Sequence, residues 1–540
     1  MAIISDTNAI FSSKRILIVD DFQGMRSMLR EMLKSFGAKD IDMASYGNEA
    51  IASLEKNKYD VVLCDYNLGA GKNGQQLLEE AKFRNLIGPA TAWIMVTAEK
   101  TSDMVLGAAE YTPDDYIIKP VNETTIKNRV MKALAKKEVF FDIEKAIRGK
   151  DYMRAIALCD EQIKNGGSNA TDLLRMKTNL LLTVGSYDKA KQIFEQILAQ
   201  RDVPWAKTGL AKTYFYTGEY ELARDLLTEV VEDNKTYLEG YDWLAKSLEK
   251  IGELGEAQRI LARSTELSPN SLMRQRTLGE IAHKRGDIDE AEKAFRKTIS
   301  LGEHSVLKNP ATYVGLAKIC AEKNNPMEAL KVLGNVHKEF SSSEASLQAK
   351  VVEGLVYSKS GDAVSAKKVA QEISGIMKDS ASKLPTDVTV EAAQLLMETG
   401  DKTSASELLQ VVVKNNHEDE QLIKEVTDVF TKADMGEDGR KLVENSRRET
   451  VETNNKGVAL AREGKLAEAV EWLRHARSLL PNNKRILLNL AYVMITHMKK
   501  NGKDNSMLRE IRECLDRVIK QDPSERKCGQ LLEMLESLPD

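Results

Sequence analysis

The sequence predicts an α/β doubly wound five-stranded parallel sheet followed by an all-α superhelical repeat solenoid. Three observations carry this. Apolar runs alternate with helical patterns up to about residue 137, the strand signal then disappears, and glycines recur at a fixed interval in the remainder. Continuous apolar strands separated by amphipathic helices need a sheet covered on both faces, which a parallel sheet provides. A helix-pair repeat instead buries its apolar faces against its own neighbours.

The first region, 13–137, offers the strands RILIVDD (15–21), IDMAS (41–45), YDVVLCD (59–65), AWIMVTA (92–98) and DYIIKPV (115–121). Between them, stretches such as RSMLREMLKSFG put Met28, Leu29, Met32, Leu33 and Phe36 on one helical stripe. Ligands of such folds sit beyond the carboxyl ends of the strands. Those ends carry chemistry here: Asp20 and Asp21 after the first, Asp65 at the third, Thr97 at the fourth, Lys119-Pro120 at the fifth. Asp65 closes the apolar run Val61-Val62-Leu63-Cys64, where a carboxylate is costly without a partner.

In the second region, 138–540, Gly218, Gly252 and Gly286 recur every 34 residues. Each has a Leu eight residues earlier (Leu210, Leu244, Leu278) and an Ala five later (Ala223, Ala257, Ala291). The block 204–300 is the most regular, and 450–483 holds another clear copy with Gly464, Ala469 and Pro481. Weaker copies centre on Gly149, Gly185, Asn324, Gly361, Gly400 and Asp434, and a last one ends at Pro523. Helix pairs are expected through 310–450 without fixed boundaries. This pattern resembles the tetratricopeptide repeat, which implies protein binding along a concave face. In that register Trp205, Lys212, Phe215 and Tyr216 form a candidate protein-binding groove, and the next copy supplies Glu239, Asp242, Lys246, Glu249 and Lys250. The competing reading packs the aromatics between neighbouring repeats. The Lys/Asn pattern that clamps a peptide's terminal carboxylate is not evident.

The acids at the sheet rim are hard oxygen ligands of the kind Mg²⁺ prefers. A carboxylate beside such an ion can attack phosphorus and form an aspartyl phosphate. Lys119 and Thr97 can then neutralise and hydrogen-bond the phosphoryl oxygens. On these residues, 15–137 resembles a response-regulator receiver domain, whose fold is flavodoxin-like. The resemblance implies that Asp65 is the phosphoacceptor and that Asp20, Asp21, Asp65 and the backbone carbonyl of Asn67 hold Mg²⁺. It makes Thr97 and Tyr116 a switch pair and Lys119 the family's invariant lysine. The spacings, 44 from Asp21 to Asp65 and 22 from Thr97 to Lys119, suit the family. One departure is the loop GAGKNG, which lacks the usual Pro and is one residue longer. Asn67 and Glu99, two residues beyond Asp65 and Thr97, match chemotaxis-type receivers and imply a short-lived phosphoryl group.

The stretch 122–149 contains no Pro, and no Gly before Gly149, so the last helix of the first domain should run almost directly into the first repeat. Such a joint is rigid and would transmit a shift of the switch face, or serve a homodimer contact. No phosphate-binding loop, HExxH, nucleophile elbow or compact basic DNA-binding domain follows, so the repeats themselves are the expected output and the chain is not expected to be an enzyme. With 78 basic and 82 acidic residues, the net charge of −4 gives no pull toward nucleic acid. Five dispersed Cys read as reduced thiols in the cytoplasm. The start has no signal-peptide pattern, and the longest apolar stretch, ILLNLAYVMI, is about half a membrane span. The six His read as solvent-facing, and KNNHEDEQ (414–421) as a loop or solvated helix start. The expected function is that of a two-component response regulator. A sensor histidine kinase or phosphotransfer protein phosphorylates Asp65, which alters binding of the repeats to an unidentified protein target. The alternative is a constitutive scaffold whose phosphorylation-silent receiver serves for docking.

Overall fold

The structure, a computed structural model, describes residues 10–98, 113–166, 169–377, 384–523 and 525–538. Its N-terminal domain runs β1 (Arg15–Val19), α1 (Gln23–Ser35), β2 (Asp40–Ala44), α2 (Gly47–Lys56), β3 (Val61–Asp65), α3 (Gly74–Phe83), β4 (Ala92–Thr97), β5 (Asp115–Ile118) and α4 (Glu123–Glu138). The five strands are all parallel in the order β2-β1-β3-β4-β5. Successive residues of a strand point to opposite faces, so each apolar run feeds two cores. Ile16, Ile18, Val61, Leu63, Ile94 and Val96 face α1 and α4. Leu17, Val62, Cys64, Trp93 and Met95 face α2 and α3. The five strands fall where the sequence puts them, within a few residues at each end. The order reverses between β1 and β3, which places a crevice at the carboxyl ends of those two strands.

Helix α4 ends at Glu138, and after Val139 and Phe140 the helix α5 (Phe141–Arg148) begins. The joint is therefore as short as the sequence predicts, and Phe140 is buried in it. Helix α5 is also tied to the loop before β4. The Glu144 carboxylate accepts from the Ala90 amide at 2.8 Å, and Arg148 donates to the Asn85 carbonyl at 3.1 Å. A Cβ on Gly88 would lie only 2.2 Å from the Glu144 carboxyl carbon, so glycine permits this approach.

From Tyr152 onward the described residues are helical pairs joined by tight turns. The residues picked out by the repeat spacing are the ones whose backbone turns left-handed. Gly185, Gly218, Gly252, Gly286, Gly361, Gly400 and Gly464 have φ from +76° to +94°, and Asn324 and Asp434 have +55° and +57°. Only glycine adopts this conformation without cost, with Asn and Asp next best. At the first pair the sequence expectation is displaced by one residue. Gly149 keeps a right-handed φ of −76°, and Lys150 takes +57°. The Leu and Ala positions of the regular block are buried, as repeat packing requires.

The chain divides into two compact units, one of 1–181, 190–214 and 220–308, the other of 182–189, 215–219 and 309–540. In the second unit the indistinct middle region resolves into pairs: Pro310–Glu322 with Pro326–Glu339, Ser343–Ser360 with Ala363–Met377, Thr386–Glu398 with Lys402–Asn415. The copies around Asp434 and Gly464 share one 27-residue helix, Gly436–Arg462, where repeat spacing implies two. No Pro interrupts it, and Val443, Ser446, Thr450, Asn454 and Gly457 form a continuous buried stripe at i, i+3/i+4. Near the end of the chain, the helix Arg526–Glu536 meets the turn 182–189. A Cβ on Gly529 would come 2.9 Å from the Gly185 backbone, and Lys189 pairs with Glu533 at 2.6 Å.

His417 departs from the solvent-facing reading. It is 7% exposed, and its Nδ1 lies 3.1 Å from the Asn483 side-chain amide. Asn415 accepts from the Asn482 amide at 3.0 Å, and Asn483 donates to the Lys414 carbonyl at 2.8 Å. The polar run 414–421 is thus partly a buried hydrogen-bonded seam, because two loops must satisfy their backbone groups against each other. Among the described residues, no helix is long and apolar enough to cross a membrane.

Candidate functional site

Asp20 and Asp21 directly follow β1, Asp65 ends β3, Thr97 ends β4 and Lys119 follows β5. Parallel strands of matched register deliver all of them to one rim. One carboxylate oxygen from each of Asp20, Asp21 and Asp65 lies within 4.8 Å of the others. Asp20 is 1% exposed and Asp65 8%, while Asp21 is open to solvent. The Lys119 ammonium bridges the buried pair, 2.9 Å from Asp20 Oδ2 and 2.8 Å from Asp65 Oδ2.

Burial pushes the Asp65 carboxyl above the usual carboxylate range, with Lys119 opposing and the Asp20 charge adding. Burial pulls the Lys119 ammonium down, yet hydrogen bonds to Asp65 and Asp20 outweigh it and leave the group above its usual value. The two shifts have different origins: burial outweighs the cation at Asp65, while at Lys119 the two carboxylates outweigh burial. Hard oxygen donors so close together, one of them facing water, fit a divalent ion that takes a few carboxylates and keeps several waters.

The surrounding backbone is built for close approach. The Asn67 amide lies 3.4 Å from Asp65 Oδ1, and the loop GAGKNG doubles back so that the Gly74 amide donates to the Tyr66 carbonyl at 2.7 Å. Gly69 and Gly71 take φ of +73° and +101° to make that reversal. A Cβ on Gly74 would fall 2.1 Å from the Asp65 carbonyl oxygen, so α3 begins against the backbone of Asp65. Asn73 and Gln76 close a capping box on α3. Thr97 is buried, and its carbonyl accepts from the Lys119 amide at 2.8 Å. The Lys119–Pro120 peptide is cis. Tyr116 is half-buried in β5, where burial raises its hydroxyl and Tyr66 adds to the shift. Glu99 lies outside the described residues.

Sequence reasoning missed Arg26. Its Nη1 donates to the carbonyls of Asp20 and Asp21 at 2.6 and 3.0 Å, fixing the acidic turn from one helical turn away. An Arg one turn into the helix after an acidic pair is the available signal. Gly74 was legible only as part of a Gly-rich loop.

In the candidate groove, Trp205 is edge-on to Phe194 with Arg175 over its ring at 5.0 Å. Lys212 forms an ion pair with Glu239 and lies over Trp243 at 5.2 Å. Phe215 and Tyr216 pack edge-on at 5.8 Å, and Tyr216 stacks on Tyr187 at 5.5 Å, so these two rings have partners within the repeats.

Residues 16–131 match the response regulator receiver domain model. Over 118 residues the chain is 31% identical to the chemotaxis protein CheY-3 of Vibrio cholerae, covering 22% of this chain and 89% of that protein. The chain belongs to the response-regulator receiver family. Chemotaxis protein CheY of Pseudomonas aeruginosa is 30% identical over 118 residues, 22% of this chain and 94% of that protein. Beyond the receiver domain, 181–242 and 453–475 match tetratricopeptide repeat models. Among solved structures, the C-terminal part of a TPR repeat-containing protein from Cytophaga hutchinsonii is similar at 15% identity and TM-score 0.35, over 47% of this chain and 99% of that one. The receiver domain makes this chain a response regulator by family, and its acidic cluster is of the type that binds Mg²⁺.

Proposed function

We propose that this protein is a cytoplasmic two-component response regulator whose repeat array is its output. A sensor histidine kinase or phosphotransfer protein supplies the phosphoryl group, and Asp65 receives it. The observation that carries the reading is the shared cation: Lys119 touches Asp65 and Asp20 together.

In the transfer, one Asp65 carboxylate oxygen bonds to phosphorus as the P–N bond of the donor's phosphohistidine breaks, and the imidazole leaves with the electron pair. Asp20, Asp21, Asp65 and the carbonyl of Asn67 would hold Mg²⁺, which when bound offsets phosphoryl charge. Lys119, already at Asp65, follows the new negative charge. Thr97 and Tyr116 lie on adjacent strands and supply the switch. The rigid joint of α4 and α5 carries the change to the repeats, whose protein binding it biases. The chain acts by binding a protein target and turns over no separate substrate.

The test uses acetyl phosphate and Mg²⁺ with the full chain, read by intact mass. One phosphoryl addition is expected, absent in Asp65→Asn and without Mg²⁺. Captures from a lysate with and without beryllofluoride should then differ, with Asp65→Asn fixed in one pattern. No addition, or identical captures, leaves a constitutive scaffold.

A further inference from the structure

The chain between the end of β3 at Asp65 and the start of α3 at Gly74 has little stiffness of its own. It holds no Pro, and Gly69 and Gly71 sit at φ of +73° and +101°. Yet it lies against the acids of the rim. A Cβ on Gly69 would stand 3.5 Å from Asp21 Oδ2, and the Gly69 amide donates to the Asn67 side-chain oxygen at 3.4 Å. Leu68 is buried in the core beneath α2 and α3 and anchors the first half of the loop. The second half carries both glycines and has a different anchor, Lys72.

The Lys72 ammonium forms an ion pair with the Glu80 carboxylate on α3. The two side chains are 21% and 9% exposed, so solvent screens this pair less than one on open surface. Glu80 is also held from its other side. Its Oε1 accepts from Arg84 Nη1 at 3.0 Å, and Arg84 pairs in turn with Glu55 of α2. The stem of Lys72 packs where α2 begins, since a Cβ on Gly47 would lie 3.1 Å from the Lys72 Cβ. One loop residue therefore reaches both helices that cover this face of the sheet.

We propose that Lys72 is a positioning residue for the divalent-cation site: its pair with Glu80 fixes the loop 66–73, and with it the Asn67 carbonyl, before the ion arrives. The inference rests on the proposed Mg²⁺ site of Asp20, Asp21, Asp65 and Asn67. Three of those ligands are carboxylates at strand ends, where the sheet fixes them. The fourth is a backbone oxygen of the loop, so it alone depends on the order of the loop. A loop that visits several forms offers that oxygen in only a fraction of them, and apparent affinity falls by that fraction. Lys72 does not act on the reacting atoms, because Glu80 takes its ammonium. Losing the tether therefore weakens binding of the ion and leaves Asp65 and Lys119 together.

The test compares the full native chain with Lys72→Met, Lys72→Arg and Lys14→Met. Met keeps the stem against Gly47, and Arg84 still offsets Glu80, so the receiver folds. Titration calorimetry with Mg²⁺ alone should show about tenfold weaker binding in Lys72→Met. In the metal-free protein, amides of residues 67–73 should exchange faster in that variant. Lys72→Arg, which can keep the pair, should restore both. Lys14→Met breaks a pair with Asp60 at the opposite end of the sheet and should change neither. With acetyl phosphate, Lys72→Met should need more Mg²⁺ for half its maximal rate, while its rate at saturating Mg²⁺ stays within about twofold of native. Unchanged Mg²⁺ affinity or loop exchange in Lys72→Met, the same losses in Lys14→Met, or losses that persist in Lys72→Arg overturn the proposal. So does a lower maximal rate with unchanged Mg²⁺ dependence. If the native chain is phosphorylated and Lys72→Met matches it throughout, only the tether falls. If the native chain binds Mg²⁺ but takes up no phosphoryl group, the response-regulator reading falls, and titration and exchange still decide the tether. A native chain that binds no Mg²⁺ overturns both.

Discussion

Lys119 is the residue on which the receiver site balances. Its ammonium is the cation between two buried carboxylates, so Lys119→Met leaves Asp20 and Asp65 facing each other uncompensated. That variant should lose about 2–3 kcal/mol of receiver stability at pH 7, part of it recovered with Mg²⁺, measured by urea unfolding. Asp65→Asn removes a charge that burial and Asp20 disfavour, so it should leave receiver stability unchanged or raise it by up to about 1 kcal/mol. Gly74 is the geometric counterpart. Gly74→Ala would press a methyl into the Asp65 carbonyl at 2.1 Å, so the start of α3 must shift. The expected outcome is a folded protein whose rate of phosphorylation by acetyl phosphate drops at least tenfold, because a displacement of about 1 Å at a reacting group costs far more in rate than in stability.

At the scale of elements, the repeats separate two uses of glycine. At Gly252 an added Cβ meets nothing within 4 Å, so Gly252→Ala costs only the left-handed backbone, about 1 kcal/mol by thermal unfolding. At Gly209 an added Cβ would lie 2.2 Å from the Phe194 ring, so Gly209→Ala should cost about 2 kcal/mol or more. A 34-residue spacing exposed the first kind in the sequence, because the turn demands one residue type at one place. Beyond the regular block it exposed only the turn centres, down to Asp434, where Asp replaces Gly and keeps the left-handed φ, and not the boundaries of the pairs. It could not show that Gly436–Arg462 is continuous, since what joins those two helices is a buried stripe that spacing does not encode. The five strands and the acid–Thr–Lys rim were legible for a different reason. Each is a short apolar run with its chemistry fixed at one end, so position along the strand predicts position in space. Arg26 was missed, because its role is to hold two carbonyls, and the only trace this leaves in the sequence is its place one turn into the helix after the acidic pair. The groove was legible only in part. Register found Trp205 and Lys212, but not that Phe194 and Arg175 pack on the first and that Glu239 and Trp243 hold the second.

Across the whole molecule, the seam at His417 couples folding to pH. Burial pulls its imidazole below the ordinary 6.5, Glu418 opposes this, and Arg485 and Arg447 add to it. The unfolded chain therefore takes up the proton first as pH falls. The contribution to stability is full above about pH 6.5 and is lost progressively below it, down toward the depressed folded value. A falling urea midpoint between pH 7 and pH 5.5 is expected, and His417→Gln should flatten that decline. The joint between receiver and repeats is the covalent route from the one to the other. Glu144 and Arg148 bind the loop before β4, and Val139 and Phe140 alone separate α4 from α5. The most direct measurement is hydrogen exchange at the amides of residues 85–92 and 139–148 in Mg²⁺, with and without beryllofluoride. Exchange there should change in the native protein and stay fixed in Asp65→Asn. The same exchange in both states of the native protein would contradict a receiver that speaks to the repeats through this joint.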